Sequence, residues 1–124
     1  MVELSPEDEQ KLITLSPYQQ AVLRLLTKVP KGKVTTYSDL AKELAKRNNA
    51  YSPKASRAVG TAMRRNVCAP RIPCHRVIKS DGSIGNFRGG ALGGVAEKIK
   101  LLQEEGIEVE NGKVDLNRFR HDFS

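Results

Sequence analysis

Hydrophobic and polar positions along the chain fall into short blocks, most of which read as helices. Val22, Leu25, Leu26 and Val29 recur at helical spacing behind Ser16-Pro17-Tyr18-Gln19. There Ser16 stands as N-cap, Pro17 at the first helical position and Gln19 completes a capping box, so a helix is predicted up to Pro30-Lys31-Gly32-Lys33. A second start lies at Thr36, with Asp39 three residues on. Leu40, Ala41 and Leu44 supply its apolar side, and it should stop near Asn48-Asn49. Ser52-Pro53 repeats the cap-plus-proline start and predicts a third helix running to about Arg65. Upstream, residues 1–13 form an acidic lead-in in which Ser5-Pro6 opens a short helix.

Beyond Arg65 the texture changes. Asn66 to Pro73 contains two prolines three residues apart and is no regular helix. Cys74-His75-Arg76-Val77-Ile78 reads as a short strand or turn, Ser80-Asp81-Gly82 as a turn, and Gly85 to Gly90 as a glycine-rich loop. A last helix is predicted from about Leu92 to Glu105, closed by Gly106 at C′. Val109 to Val114 reads as a hairpin with a type I′ Asn-Gly turn.

Composition narrows the class. With 124 residues, 39% hydrophobic and 28% charged, the chain fits one domain with a packed core. It holds no apolar run near the roughly 18 residues a membrane helix needs, so no membrane partner is expected. MVELSPEDEQ has neither the basic nor the apolar region of a signal peptide, and two cysteines make no disulfide scaffold; a cytoplasmic location is expected.

Charge adds a direction. The net charge is +7, but four of the fourteen acids (Glu3, Glu7, Asp8 and Glu9) sit in the first ten residues. From Tyr18 to Lys79 fourteen Lys and Arg face only Asp39 and Glu43. Such a basic stripe is the footprint of a phosphate-binding surface, although a soluble basic face reads the same way. Two helices joined by a short connection, the second carrying Lys54, Arg57, Arg64 and Arg65, form a helix-turn-helix pattern.

Cys74 beside His75 is the sharpest chemical pair. A thiol is a useful nucleophile only as thiolate, and a neighbouring imidazole can take its proton directly or through water. Taken alone, a Cys-His dipeptide reads more readily as a buried structural cysteine beside a surface histidine. Cys68, Cys74, His75 and His121 lack zinc-ligand spacing, so no metal is expected. Arg57, with Ala55, Ser56, Ala58 and Gly60 around it, suits close approach to a nucleic-acid groove. The Gly85–Gly90 loop lacks the Lys-Ser/Thr ending of a P-loop.

Together these segments resemble a known family. Ile72-Pro73-Cys74-His75-Arg76-Val77 resembles the I-P-C-H-R-V active-site signature of the O6-alkylguanine-DNA alkyltransferases. Arg57-Ala58-Val59-Gly60-Thr61-Ala62-Met63-Arg64-Arg65-Asn66 is similar to that family's recognition-helix segment. The spacings of nine from Arg57 to Asn66 and eight from Asn66 to Cys74 agree with it. Gly85-Asn86-Phe87-Arg88-Gly89-Gly90 is similar to its glycine-rich active-site loop, and Leu101 to Gly106 to its L-L-x-x-E-G ending.

The resemblance implies a mainly α fold: a winged-helix-like helix-turn-helix DNA-binding domain with a small β-hairpin. Residues 16–118 would form the catalytic and DNA-binding domain, with 1–15 an acidic extension where the family carries a separate N-terminal domain and 119–124 a tail. It implies a monomer, without cofactor or metal, that binds the minor groove of duplex DNA containing O6-alkylguanine. The damaged base is flipped out and its alkyl group passes irreversibly to Cys74.

The site roles follow residue by residue. His75 would take the thiol proton through a water, Glu105 would polarise His75, and Asn66 would brace the turn carrying Cys74. Arg57 would fill the gap left by the extruded base, with Ala55, Ser56, Ala58, Gly60, Thr36, Lys54 and Arg64 as further DNA contacts. Tyr37 would push on the flipped nucleotide's phosphate and contact the base, and Met63 would wall the pocket. The carbonyls of Cys74 and Val77 would accept from the guanine amino group, and Phe87 and Arg88 complete the substrate-binding set. Phe87 stands where relatives often carry tyrosine, and Ala69 where a proline often lines the pocket. Two other readings remain at this point: a lesion-recognition relative without transfer, in which tryptophan usually replaces the cysteine, and a plain helix-turn-helix regulator.

Overall fold

The computed structural model describes residues 3–66, 68, 72–85 and 94–123. Three of the helix starts are built by the predicted side chains. Ser5 caps α1 (Pro6–Leu12), Ser16 caps α2 (Pro17–Leu26) and Thr36 caps α3 (Tyr37–Arg47), each accepting from the backbone N–H three residues on. The Ser16–Gln19 capping box is reciprocal, at 3.2 and 3.3 Å. α2 stops at Leu26, short of Pro30, and a tight turn carries Val29 into the core.

One expected start is corrected. Ser52-Pro53 begins no helix: the Ser52 hydroxyl accepts from the Lys54 N–H two residues on, which makes a turn. The recognition-type helix α4 begins later (Ser56–Arg64), behind Ala55, and no side chain caps it. It packs against α2 and α3, placing Val59 and Ala62 in the core.

A two-stranded parallel sheet joins the helical half to the rest. β1 (Thr35–Thr36) pairs with β2 (Val77–Ile78) in the register Thr35 with Val77 and Thr36 with Ile78. Tyr37 follows β1 directly and Cys74 lies three residues before β2, so this short ladder brings the start of α3 beside the Cys74 turn. On the other side of β1, Val34 donates to the Phe119 carbonyl and accepts from the His121 N–H, while Arg120 forms a two-bond ion pair with Asp39.

Two apolar clusters flank this ladder. The larger joins α1–α4 through Leu12, Val22, Leu23, Leu26, Leu40, Leu44 and Val59, and reaches Ile72 and Cys74. The smaller gathers Val34, Ile78, Ile84, Leu102, Ile107, Val114 and Phe119. α5 (Gly94–Glu104) ends as expected on Gly106, whose φ of +85° lets Ile107 donate back to the Leu102 carbonyl. The expected start of this helix at Leu92 lies outside the described residues. Asn111 and Gly112 both have positive φ, and Glu110 pairs antiparallel with Lys113, as the type I′ turn requires. A short helix α6 (Leu116–Phe119) completes the mainly α architecture. The acidic lead-in is packed rather than loose: Leu12 is fully buried and Glu9 holds Arg24 with both carboxylate oxygens.

Candidate active site

The chain reaches Cys74 through a brace. Asn66, just past α4, donates its side-chain amide to the Ile72 carbonyl at 2.8 Å and accepts from the Cys68 N–H at 3.0 Å. Cys68 and Ile72 are thereby tied to one amide. Cys74 then opens a single 3₁₀ turn (Cys74–Arg76), whose last bond runs from the Val77 N–H to the Cys74 carbonyl. The thiol is buried, with 7% of the residue exposed, and neither cysteine is in a disulfide.

His75 points the other way, into the end of α5. Its Nε2 lies 2.9 Å from Glu105 Oε2, and its Nδ1 is buried with no hydrogen-bond partner among the described residues. Burial pushes the imidazole below its ordinary pKa, against the pull of the Glu105 hydrogen bond and charge. Glu105 is held below the usual carboxylate range by Arg76 and His75, although its own burial opposes this. An ionised carboxylate only accepts, so Nε2 carries the hydrogen and Nδ1 keeps its lone pair. The outcome is a neutral, oriented imidazole with a basic nitrogen to offer.

Sequence reasoning missed two cations here. Arg76 is buried and forks onto Glu105, with Nε to Oε1 and Nη2 to Oε2 both at 2.8 Å, while Nη1 donates to the Val29 carbonyl. Lys98, on α5, is fully buried; burial lowers its pKa to about 8, and the nearby Cys74 pulls it back up. Its Nζ stands 5.9 Å from the centre of the Tyr37 ring. The available signal was local: Lys98 sits four residues after Gly94 and four before Leu102, on the buried stripe of an amphipathic helix.

Tyr37 is half-buried at the start of α3, its hydroxyl pushed to higher pKa first by burial and then by Cys74. A Cβ built on Gly85 would stand 3.7 Å from that hydroxyl, so Gly85 borders the same space. Met63 packs, partly buried, against the larger cluster, and Val77 is fully buried in β2. Phe87 and Arg88 lie outside the described residues.

The expected DNA contacts divide. Lys54, Ser56, Arg57, Ala58 and Arg64 are exposed, whereas Ala55 and Gly60 are half-buried. A Cβ on Gly60 would meet nothing within 4 Å, so no internal packing calls for glycine in mid-helix. Thr36 departs from the expectation: it is fully buried, and its hydroxyl is spent capping α3.

Comparison with known proteins identifies the family. The family model described as 6-O-methylguanine DNA methyltransferase, DNA binding domain, matches residues 17–107. The bifunctional methyltransferase/endonuclease of Picrophilus torridus is 46% identical over 96 residues, 77% of this chain and 29% of that one. The methylated-DNA–protein-cysteine methyltransferase of Homo sapiens is 44% identical over 88 residues, 71% of this chain and 38% of that one. The chain thus spans less than half the length of these relatives. Among solved structures, S. pombe Atl1 bound to damaged DNA containing O6-carboxymethylguanine superposes with a TM-score of 0.70 at 26% identity, covering 87% of this chain and 97% of that one. The O6-methylguanine-DNA methyltransferase of Pyrococcus kodakaraensis gives 0.58 at 41% identity, covering 75% and 48%. With most of its length matched by that model, the chain belongs to the 6-O-methylguanine DNA methyltransferase family, through the family's DNA-binding domain.

Proposed function

We propose that this protein repairs DNA by taking the alkyl group of O6-alkylguanine, chiefly O6-methylguanine, onto its own Cys74. The observation that carries the reading is a buried thiol, outside any disulfide, followed directly by a neutral histidine whose other nitrogen is fixed by Glu105. His75 Nδ1 takes the thiol proton through an intervening water. The thiolate sulfur attacks the alkyl carbon; the S–C bond forms as the C–O6 bond breaks, and the electron pair passes to O6. The guanine anion then takes up one proton, equal to the one lost by the thiol. A thioether on Cys74 has no route back, so each molecule acts once. Lys98 supplies a buried positive charge that favours the thiolate before attack.

Recognition rests on the exposed face of α4. Its uncapped N-terminus, around Ala55, Ser56 and Ala58, offers backbone N–H groups to phosphate, with Lys54 and Arg64 beside it. Gly60 leaves the helix smooth where a groove wall comes close. Arg57 enters the minor groove of the duplex and occupies the space of the extruded base, offsetting lost stacking. Tyr37 contacts the flipped nucleotide, Met63 walls the pocket, and the Cys74 and Val77 carbonyls accept from the guanine amino group.

The deciding experiment is intact-protein mass after incubation with a duplex containing O6-methylguanine, followed by peptide mapping. One methyl on the peptide containing Cys74 is the expected result. Lesion-selective binding with no mass change would assign the protein to recognition without transfer. Neither transfer nor selectivity would overturn the reading.

A further inference from the structure

The roles assigned so far leave the most heavily bonded side chain of the site unused. Arg76 makes three hydrogen bonds at 2.8 Å, two of them to Glu105, with only 10% of its side chain exposed. Its partner carboxylate is the one on which His75 depends. The Val29 carbonyl anchors the guanidinium from the α2 side, so its position is independent of His75.

A bare carboxylate buried against an imidazole would raise the imidazole's affinity for a proton. A protonated His75 would carry a hydrogen on Nδ1 and could accept nothing from a thiol. The charged groups facing His75 are Glu105 and Lys98 from α5 and its C-terminal turn, and Arg76 from its own turn. Only Glu105 favours the protonated ring. Arg76 and Lys98 oppose it, and Arg76 does so by direct contact with the same carboxylate oxygen, Oε2, that His75 uses.

We propose that Arg76 is a positioning residue of the proton relay: by holding both oxygens of Glu105 it fixes the carboxylate's direction and cancels its charge, so that His75 is oriented yet stays a neutral base. This rests on the transfer reading for its consequence, but not for its measurement. A two-bond fork suits the task, because a lysine at the same place would bring charge without fixing the plane of the carboxylate.

The test is a pH titration of His75 by NMR in the whole protein, with His121, the chain's other histidine, as internal reference. In Arg76→Met the His75 midpoint should move up by about 1 to 3 pH units, the range an uncompensated neighbouring charge produces. The double variant Arg76→Met/Glu105→Gln should return it to the wild-type range. Arg76→Lys should restore most of the shift while leaving the transfer rate reduced. In single-turnover kinetics the low-pH limb of the rate profile should move with the midpoint. One pH unit below that midpoint, the rate should be about a tenth of its plateau. Chemical-shift dispersion reports whether each variant folds, and the double variant, which leaves no buried charge unpaired in this pair, keeps the comparison available if Arg76→Met does not. An unmoved His75 midpoint in Arg76→Met, or a uniform rate loss at every pH, would overturn the proposal and leave Arg76 a structural brace. A double variant well below wild type, paired with an unfolded Arg76→Met, would overturn it equally, because the Glu105 charge would then have acted on His75 uncancelled. If the wild type transfers no methyl, the proposed function fails while the titration still decides the role of Arg76.

Discussion

Two regions of the molecule, the packed helices α2–α4 and the turn around Cys74, are built on different principles. The packing of α2, α3 and α4 is aliphatic: Val22, Leu23, Leu26, Leu40, Ala41 and Val59 are fully buried, and its cations point outward. Around the Cys74 turn the interior holds His75, Arg76 and Lys98, with Glu105 almost covered. Apolar packing stabilises by itself, whereas buried ionisable groups must be paired, oriented or shifted in pKa to be tolerated at all. A domain this small gains little stability from such an interior. What it gains is a set of charges held in fixed directions by their hydrogen bonds.

That contrast can be broken by substitution, and the sharpest break is at the sulfur. Cys74→Ser should abolish alkyl transfer while leaving binding to lesion-containing duplex within a few-fold of wild type, since the groove contacts lie on α4. Mass spectrometry and a gel-shift titration check the two halves. Next in size, Arg57→Ala should slow repair in duplex by about ten- to a hundredfold, the worth of a few kcal/mol of lost stacking compensation. Repair of a free base or a single strand should fall much less, and equal losses on both would remove the wedge role.

Lys98→Met should separate stability from reactivity. Lowering a buried lysine from the usual 10.5 to about 8 means that its charged form costs about 3 kcal/mol at neutral pH. The variant should therefore melt higher than wild type at pH 7 and transfer about tenfold more slowly or worse. Between pH 8 and 10.5 the unfolded wild type keeps a proton that the folded form has released, so wild-type stability rises with pH and the gap narrows. A constant gap across that window would show that Lys98 is not the group titrating. The smallest effect belongs to Gly60→Ala. It should stabilise the fold by about 0.5 to 1 kcal/mol, because Gly60 is helical with open space beside it, and weaken DNA binding measurably.

The two regions also differ in how far the chain could be read in advance. Ser16, Pro17 and Gln19, or Thr36 and Asp39, act within one helical turn, so their chemistry is visible in adjacent letters. Ser52-Pro53 shows the limit, since the same letters can close a turn when the hydroxyl finds the Lys54 N–H first. At the site little is local. Arg76 and Glu105 are 29 residues apart, and neither predicts the other. Cys74 and His75 stood out as an adjacent pair, but their roles, and Asn66 and Glu105 with them, came from a family resemblance, which transfers positions without giving their geometry. Arg76 was in plain view inside the same motif and carried no assigned role, because an arginine beside a histidine is unremarkable until its partner is known. Lys98 left a trace as the one charged residue on a buried stripe, which is a signal of burial and not of purpose.

The pairing of Val34 with the segment 119–121 gives the end of the described chain a use that its position would not suggest. Val34 is fully buried, and its N–H and C=O both bond to Phe119 and His121. Deleting residues 119–121 would strip those partners from a backbone that water does not reach, at about 1 to 3 kcal/mol for each orphaned group. The loosened strand would be the one that leads directly into Tyr37. Loss of that segment would thus be felt beside Cys74, and residues 119–121 act as a latch on the start of α3.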